Sequence, residues 1–189
     1  MEANKPFGLY VYHKDPKNFH VLKDLLQLMK VSAIRKNAQF FYVEDQNSLL
    51  PQLSLCENMQ LVGPFESWKD FVATLNPEHR SLVNLIKQPH LPAHAAQPWE
   101  CFLISLLKAM VTPSENLLIN MNEDALSPFM VKAFKQILLS VGQSKQVYLA
   151  TSYPSLWLDC AHSLVTRTEY VFDIEKLDET LIRKHWSVA

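Results

Sequence analysis

Histidine and cysteine side chains that could bind a metal come closest together near the middle of the chain. His90 and His94 bracket the segment HLPAH, and Cys101 follows, so these three would be the ligands of a zinc site. Pro92 prevents the helical i,i+4 spacing that would bring the two histidines together, and no second ligand pair of suitable spacing is present. The sequence therefore predicts no metal site.

Ser152, Asp159 and His162 are the residue types of a catalytic triad with a nucleophilic serine. Such a triad depends on geometry, and hydrolases of the α/β type place the serine in a G-x-S-x-G turn. No such turn surrounds Ser152. We therefore expect no catalytic residues of this kind.

Glycine is scarce, with only Gly8, Gly63 and Gly142 in the whole chain. Loops that cradle phosphate use glycine because the backbone must approach the phosphate closely and often takes positive φ. The stretch from Leu9 to Val62 is free of glycine. The sequence thus predicts neither a phosphate-binding loop nor a bound cofactor.

The overall composition of the 189-residue chain is that of one ordinary globular domain, with 48% hydrophobic and 20% charged residues. Eighteen basic residues nearly balance 19 acidic ones, which argues against nucleic acid as a partner. Three scattered cysteines are typical of reduced core thiols, so we expect a cytoplasmic protein. No apolar run approaches the roughly 20 residues of a membrane span, and no leader segment is evident.

Strand and helix patterns alternate along the chain, which indicates an α/β fold with a largely parallel sheet. Short apolar runs predict strands at residues 7–12, 39–44, 116–121 and 146–152. Three-and-four spacing predicts helices at 19–30, 100–111 and 127–142. A final strand or hairpin at 163–174 precedes a charged helix at 175–186.

The middle of the chain carries prolines, polar turns and short helical patterns such as ESWKDFVATL and EHRSLVNLIK. We interpret residues 48–99 as an inserted helical subdomain. The core of the single domain then comprises about residues 1–47 and 100–189.

Two segments of the chain carry a resemblance to a known family. FFYVEDQNSLLPQLSLCENMQLVG resembles the Q-loop region of ABC-transporter ATPases, in which a glutamine at a strand end is followed by a phrase such as L-x-P-x-L-S-V-x-E-N. The matching residues are Gln46, Leu49, Pro51, Leu53, Ser54, Leu55, Glu57 and Asn58. NLLINMNEDALSPFMVKAFKQIL resembles the Walker B strand and D-loop, through Leu117, Leu118, Ala125, Leu126 and Pro128.

The separations between Gln46, Gln97, Asn120 and Ser152 are similar to those between the Q-loop, signature, Walker B and switch-histidine positions of ABC ATPases. The resemblance covers about residues 9–172. It implies a P-loop-NTPase-like, mostly parallel sheet flanked by helices, with an inserted helical subdomain and a reduced N-terminal antiparallel part.

The nucleotide-binding residues of the family are replaced in this chain. Where the Walker A loop has its lysine and hydroxyl, the sequence has Asn18 and Phe19, and Asp15, Pro16 and Lys17 replace the glycine-rich turn. A proline there removes an amide donor, and the aspartate brings negative charge towards phosphate.

The catalytic positions implied by the resemblance are also changed. Asn120 stands for the metal-orienting aspartate, Met121 for the glutamate that polarises water, and Ser152 for the switch histidine. AQPWE, residues 96–100, stands for the LSGGE signature. We therefore expect a pseudo-ATPase, not an enzyme.

The Q-loop phrase is retained although the nucleotide site is not, which favours a non-catalytic protein-interaction or regulatory subunit of a membrane transport or secretion assembly. In the family this surface receives the membrane subunit, so we expect partner contacts at Gln46, Leu49, Leu50, Leu53 and Glu57. Pro98 and Trp99, at the signature position, would be a further anchor for a partner, because exposed aromatic residues are favoured at protein interfaces. The partner would be a permease, an ABC ATPase in a homo- or heterodimer-like pair, or another complex subunit. Such a partner would hold the protein at the inner membrane without direct insertion.

Two alternatives follow from the same residues. In one, residual ATP binding forms a composite site with a true ABC ATPase. In the other, the chain is a small α/β scaffold unrelated to ABC proteins, with a different strand order.

Overall fold

A six-stranded sheet forms the centre of the protein. The computed structural model describes residues 8–15, 20–32, 39–44, 48–123, 126–167 and 171–177. The strands are β1 (Leu9–His13), β2 (Phe40–Glu44), β3 (Asn116–Asn120), β4 (Gln146–Thr151), β5 (Ser163–Arg167) and β6 (Phe172–Lys176). Their order is β2-β3-β4-β1-β5-β6, and among these described strands only the β5–β6 pair is antiparallel. The predicted α/β class with a mostly parallel sheet is confirmed.

Helices cover both faces of the sheet. They are α1 (Val21–Ser32), α2 (Leu55–Gln60), α3 (Trp68–Thr74), α4 (Pro77–Val83), α5 (Pro98–Val111) and α6 (Pro128–Gly142). On one face, Leu25 and Leu28 of α1 pack in a buried cluster with Leu118 and Tyr148. The opposite face is covered by α5 and α6. Because β3 and β4 are buried on both faces, their sequences are almost continuously apolar.

A buried carboxylate ties α1 to the sheet. Asp24 accepts a hydrogen bond from the hydroxyl of Tyr12 at 3.1 Å and forms an ion pair with Arg167 of β5. Burial, and to a smaller extent the negative charge of Asp24, raises the pKa of Tyr12 above its usual value, so this hydroxyl stays a donor at neutral pH.

Between β2 and α5, the described residues form short helices and turns, and their only β-type pairing is the bridge between Ser54 and Pro92. Gly63 has a steric role in the turn between α2 and α3. A Cβ at this position would lie 2.2 Å from a ring carbon of Phe65, which packs edge-on against Phe71 with ring centroids 5.3 Å apart. The boundaries of the inserted subdomain, 48 and 99, stay a prediction.

The predicted hairpin at 163–174 is confirmed by the antiparallel β5–β6 pair. The predicted C-terminal helix was wrong at its start, because Glu175 and Lys176 belong to β6. Its remainder from residue 178 lies outside the described residues. Within the described ranges, no helix has the length and apolar character that a bilayer crossing requires.

The three cysteines are buried and not joined in disulfides. Burial raises the pKa of Cys101 to about 11 and that of Cys160 to about 12. Both thiols are therefore protonated and unreactive at neutral pH.

Candidate functional site

The ends of β1, β3 and β4 meet at one edge of the sheet, here called the carboxyl edge. Ligands of open α/β sheets bind outside the carboxyl ends of the strands, so this is where a nucleotide site would lie. Asp15, one of the residues in place of the Walker A loop, is exposed here. Pro16, Lys17, Asn18 and Phe19, which take the other Walker A positions, lie outside the described residues.

Lys14, the first residue after β1, connects two strand ends at the carboxyl edge. Its backbone N–H donates to the carbonyl of Thr151 at the end of β4, at 2.9 Å. Its ammonium group reaches β3, donating to Oδ1 of Asn120 at 2.6 Å and to the carbonyl oxygen of Met121 at 2.5 Å. The lysine therefore bridges β1 and β3, which are separated by β4.

The bridge continues from β3 to the edge strand β2. Nδ2 of Asn120 donates to Oε1 of Glu44 at 2.5 Å, so Lys14, Asn120 and Glu44 form a continuous polar chain. The amide of Asn120 accepts from a cation on one side and donates to a carboxylate on the other. Asn120 was identified from the sequence, whereas Lys14 and Glu44 were not, because nothing in the spacing of these three residues brings them together.

Met121, at the position of the family's catalytic glutamate, points into the protein. Its side chain is 1% exposed and belongs to the main hydrophobic cluster. The described side chains thus do not fit a magnesium nucleotide as an ABC ATPase holds it. The amide of Asn120 is engaged at both ends, and Met121 has neither a basic atom nor access to the edge.

A buried carboxylate that sequence analysis missed lies beside this edge. Glu123 is 7% exposed, and its Oε1 accepts hydrogen bonds from the hydroxyl of Thr151 and, at 3.2 Å, from the indole N–H of the fully buried Trp157. The hydroxyl of Thr151 in turn accepts from the backbone N–H of Tyr153 at 3.0 Å. These bonds join the segments that follow β3 and β4. An acidic residue soon after a buried strand was the only available signal.

The segment 48–58, which carries the retained Q-loop phrase, is held by its own polar side chains. Ser54 and Glu57 form a reciprocal capping box at the start of α2. The backbone N–H of Glu57 donates to Oγ of Ser54 at 3.1 Å, and the backbone N–H of Ser54 donates to Oε2 of Glu57 at 2.7 Å. This backbone N–H of Ser54, with its hydroxyl, lowers the pKa of Glu57.

Asn58 fixes the loop that precedes α2. It is completely buried, and its Oδ1 accepts from the backbone N–H of Leu50 at 2.8 Å. Its Nδ2 donates to the carbonyls of Leu50, Leu53 and Ser54 at 3.0 to 3.2 Å. One amide side chain therefore sets the path of residues 50–54.

The predicted partner-contact residues differ in exposure. Leu50 is 51% exposed, and Glu57 and Pro98 are also exposed. Leu53 and Trp99 are half-buried, and Trp99 packs against the hydrophobic core. Leu49 is buried at 4% exposure, so its side chain contributes to the core and not to the surface. Gln46 lies outside the described residues.

Backbone hydrogen bonds bring the two parts of this predicted surface together. The N–H of Ala93 donates to the carbonyl of Leu53 at 2.8 Å, and the N–H of His94 donates to that of Pro51 at 3.2 Å. The segment that leads into Pro98 and Trp99 is thereby joined to the loop that carries Leu50. We call the accessible part of this predicted surface, formed by the exposed Leu50, Glu57 and Pro98 and the half-buried Leu53, the docking surface.

The side chains first considered for metal binding and catalysis make other contacts. His94 Nδ1 lies 2.7 Å from the carbonyl of Pro51, and the thiol of Cys101 donates to the carbonyl of Ala93. Among the described residues, no three histidine, cysteine, aspartate or glutamate side chains form a group that could hold a metal ion.

Two of the three residues considered as a catalytic triad, Asp159 and His162, also make other contacts. Asp159 forms an ion pair with Lys135 at 2.8 Å. His162 Nδ1 accepts a hydrogen bond from the backbone N–H of Leu9 at 3.1 Å. Neither side chain is therefore arranged to activate Ser152.

Comparison with known proteins gives a fold but no sequence family. No family model matches the chain, and no curated protein matches it by sequence. A solved structure of cbiO1 from Clostridium perfringens, part of the ABC transporter complex cbiONQ, superposes with a TM-score of 0.67. Sequence identity is 10%, and the match covers 97% of this chain and 82% of that one.

A second similar structure comes from a complex of the archaeal ribosomal stalk protein aP1 with the archaeal ribosome recycling factor aABCE1. Its TM-score is 0.71 at 10% identity, over 97% of this chain and 37% of that chain. At 10% identity the similarity concerns only the architecture, which is the sheet with its flanking helices. The protein therefore has an ABC-ATPase-like α/β fold.

Proposed function

We propose that this chain is a non-catalytic ABC-ATPase-like protein, acting as a protein-interaction or regulatory subunit of a membrane transport or secretion assembly. The proposal rests mainly on the carboxyl edge, where the ammonium of Lys14 is held by Asn120 and by the carbonyl of Met121. The resemblance implies an aspartate and a glutamate at those two positions.

The physical argument concerns charge and burial. Phosphoryl transfer is driven by cations around the phosphates and by a group that orients the attacking water. Here the ammonium of Lys14 is held by Asn120, whose amide also donates to Glu44, and Met121 is buried in the core. At the signature position, Pro98 and Trp99 replace two glycines. The neighbouring Glu100 accepts a hydrogen bond from the backbone N–H of Gln97 at 2.9 Å.

The docking surface supports the interaction part of the proposal. Leu50 is a half-exposed leucine on a loop whose backbone Asn58 holds in one conformation, and a preorganised apolar anchor suits protein recognition. The similar cbiO1 structure is itself part of a transporter complex. The partner would be a permease, an ABC ATPase or another subunit of the complex.

Magnesium ATP is expected neither to bind nor to stabilise the protein. A ligand at about 100 times its dissociation constant stabilises a fold by about 2.7 kcal/mol, which a thermal melt detects easily. We expect no change in melting temperature and no binding heat in calorimetry at millimolar nucleotide, with a catalytically active ABC ATPase domain measured in parallel as the positive control. Saturable binding would instead support the alternative of a composite ATP site.

Leu50→Asp is expected to abolish partner binding without unfolding the protein, because the side chain is already half exposed. The matched control is Val171→Asp, which changes a 62% exposed residue beside β6, at the opposite edge of the sheet from β2. Affinity capture from the native cell, with quantitative mass spectrometry, should show at least a tenfold loss of partner for Leu50→Asp alone. Equal recovery with both variants would refute the docking surface.

A further inference from the structure

An open cleft of about 630 Å³ lies between α2 and α3. We call it the α2–α3 cleft. Glu57 of the docking surface lines it, together with Glu66, Trp68, Lys69 and His90. Its volume lies within the range of cavities that hold a ligand or a large side chain.

Backbone and side-chain hydrogen bonds fix the walls of this cleft. Nε2 of Gln60 donates to the carbonyl of Glu66 at 2.9 Å, which holds the turn between the helices. The N–H of Cys56 donates to the carbonyl of Pro89 at 3.0 Å, which positions the neighbouring His90. The cleft is therefore formed before any partner arrives, so little ordering entropy is lost on binding.

The charges in the cleft leave room for one cation. Two acidic residues, Glu57 and Glu66, line the cleft with one lysine, Lys69, which leaves one net negative charge when His90, which interacts electrostatically with Glu57, is neutral. Oε2 of Glu57 caps α2, whereas its Oε1 makes no hydrogen bond within the part of the chain that the structure describes. In the same described part, the carboxylate of Glu66 forms no ion pair within 4 Å.

An aromatic wall complements these carboxylates. The indole of Trp68 lines the cleft and packs against the buried Phe71, with ring centroids 5.3 Å apart. A guanidinium group stacks on an indole face and binds carboxylates through a fork of N–H donors. Carboxylates beside an aromatic ring are the complement of an arginine side chain.

We propose that the α2–α3 cleft receives one arginine side chain of the protein partner, stacked on Trp68 and paired with Glu66 and Glu57. The proposal rests on the proposed function, since Glu57 belongs to both the cleft and the docking surface. It adds the chemistry of the partner: a basic residue placed beside the apolar contact at Leu50.

The test uses the full-length, isotope-labelled protein and N-acetyl-arginine amide as the probe, followed by NMR. Saturable shifts are expected at the indole N–H of Trp68 and the side-chain amide of Gln60. The neutral isostere N-acetyl-citrulline amide is expected to bind at least about tenfold more weakly, because the charge is lost. Equal binding of the two probes, preference for N-acetyl-glutamate amide, or no shift at either group would overturn the proposal.

Variants localise the interaction. Glu66→Gln is expected to weaken N-acetyl-arginine amide binding at least about fivefold, while Asp173→Asn, an exposed carboxylate on β6, leaves it unchanged. Free arginine that bound more tightly than the blocked probe would indicate a small-molecule site and contradict a partner side chain. If the probe fails while Leu50→Asp still removes the partner, the cleft assignment falls and the docking surface stands. Magnesium ATP binding would overturn the non-catalytic function independently of the cleft.

Discussion

Asn58→Leu is expected to lower the free energy of unfolding by about 3 kcal/mol, although leucine has the same branched shape as asparagine. The change leaves the backbone N–H of Leu50 without its acceptor, and the carbonyls of Leu50, Leu53 and Ser54 each lose the side-chain bond while keeping a backbone one. A buried polar group without a hydrogen bond costs about 1–3 kcal/mol, and part of this loop can reach water. Thermal unfolding should show a melting temperature about 6 to 12 °C lower, and urea unfolding should measure the loss of free energy directly.

The matched control is Asn84→Leu. Asn84 is an exposed residue at the end of α4, and we expect a change within about 0.5 kcal/mol. If the two variants unfold at the same temperature, the amide of Asn58 does not hold the loop. The docking surface would then lack the rigid support that we assign to it.

Met121→Glu, which restores the family residue, is expected to destabilise the protein by about 4 kcal/mol. The side chain is 1% exposed among apolar neighbours, and the nearby ammonium of Lys14 is already engaged by Asn120 and the backbone carbonyl of Met121, so the new carboxylate would be buried and uncompensated. An uncompensated buried charge typically costs about 3–5 kcal/mol. Urea unfolding at pH 7, with magnesium ATP present and absent, measures both the loss and any gain of nucleotide binding.

The pH dependence of this variant provides an internal check. Burial raises the pKa of a carboxyl group, so the folded protein binds a proton more readily than the unfolded chain. Stability is then greatest below the unfolded pKa and falls as the pH rises through the folded pKa. The deficit of Met121→Glu should therefore shrink between pH 7 and pH 5, whereas Met121→Leu should cost less than about 1.5 kcal/mol at both. Tolerance of glutamate at pH 7 would mean that this position opens to the carboxyl edge.

The Asn58→Leu and Leu50→Asp variants separate structural from functional reasons for the retained phrase. Glu57 caps α2 and Asn58 holds the preceding loop, so both have structural roles that do not require a partner. Leu50 is different, because its side chain is exposed and its removal from water needs a partner. The docking proposal therefore depends on Leu50 more than on the better-matched residues beside it.

The sequence by itself determined the order and type of the main elements. The apolar runs at β3 and β4 and the three-and-four spacing in α1, α5 and α6 are local signals, because a segment records how many of its faces are buried. Pro128 and Gly142 marked the two ends of α6 correctly. The resemblance added the fold, which the structural comparisons confirm.

Only the tertiary structure decided which polar groups meet. Lys14 reaches Asn120 because only one strand, β4, separates β1 from β3, and a lysine side chain can cross that distance. This strand order is not encoded in any single segment of the sequence. The burial of Met121 and Leu49, the role of Glu123 and the α2–α3 cleft have the same origin. Each depends on how separate segments pack in three dimensions, whereas a sequence pattern reports only on the periodicity within one segment.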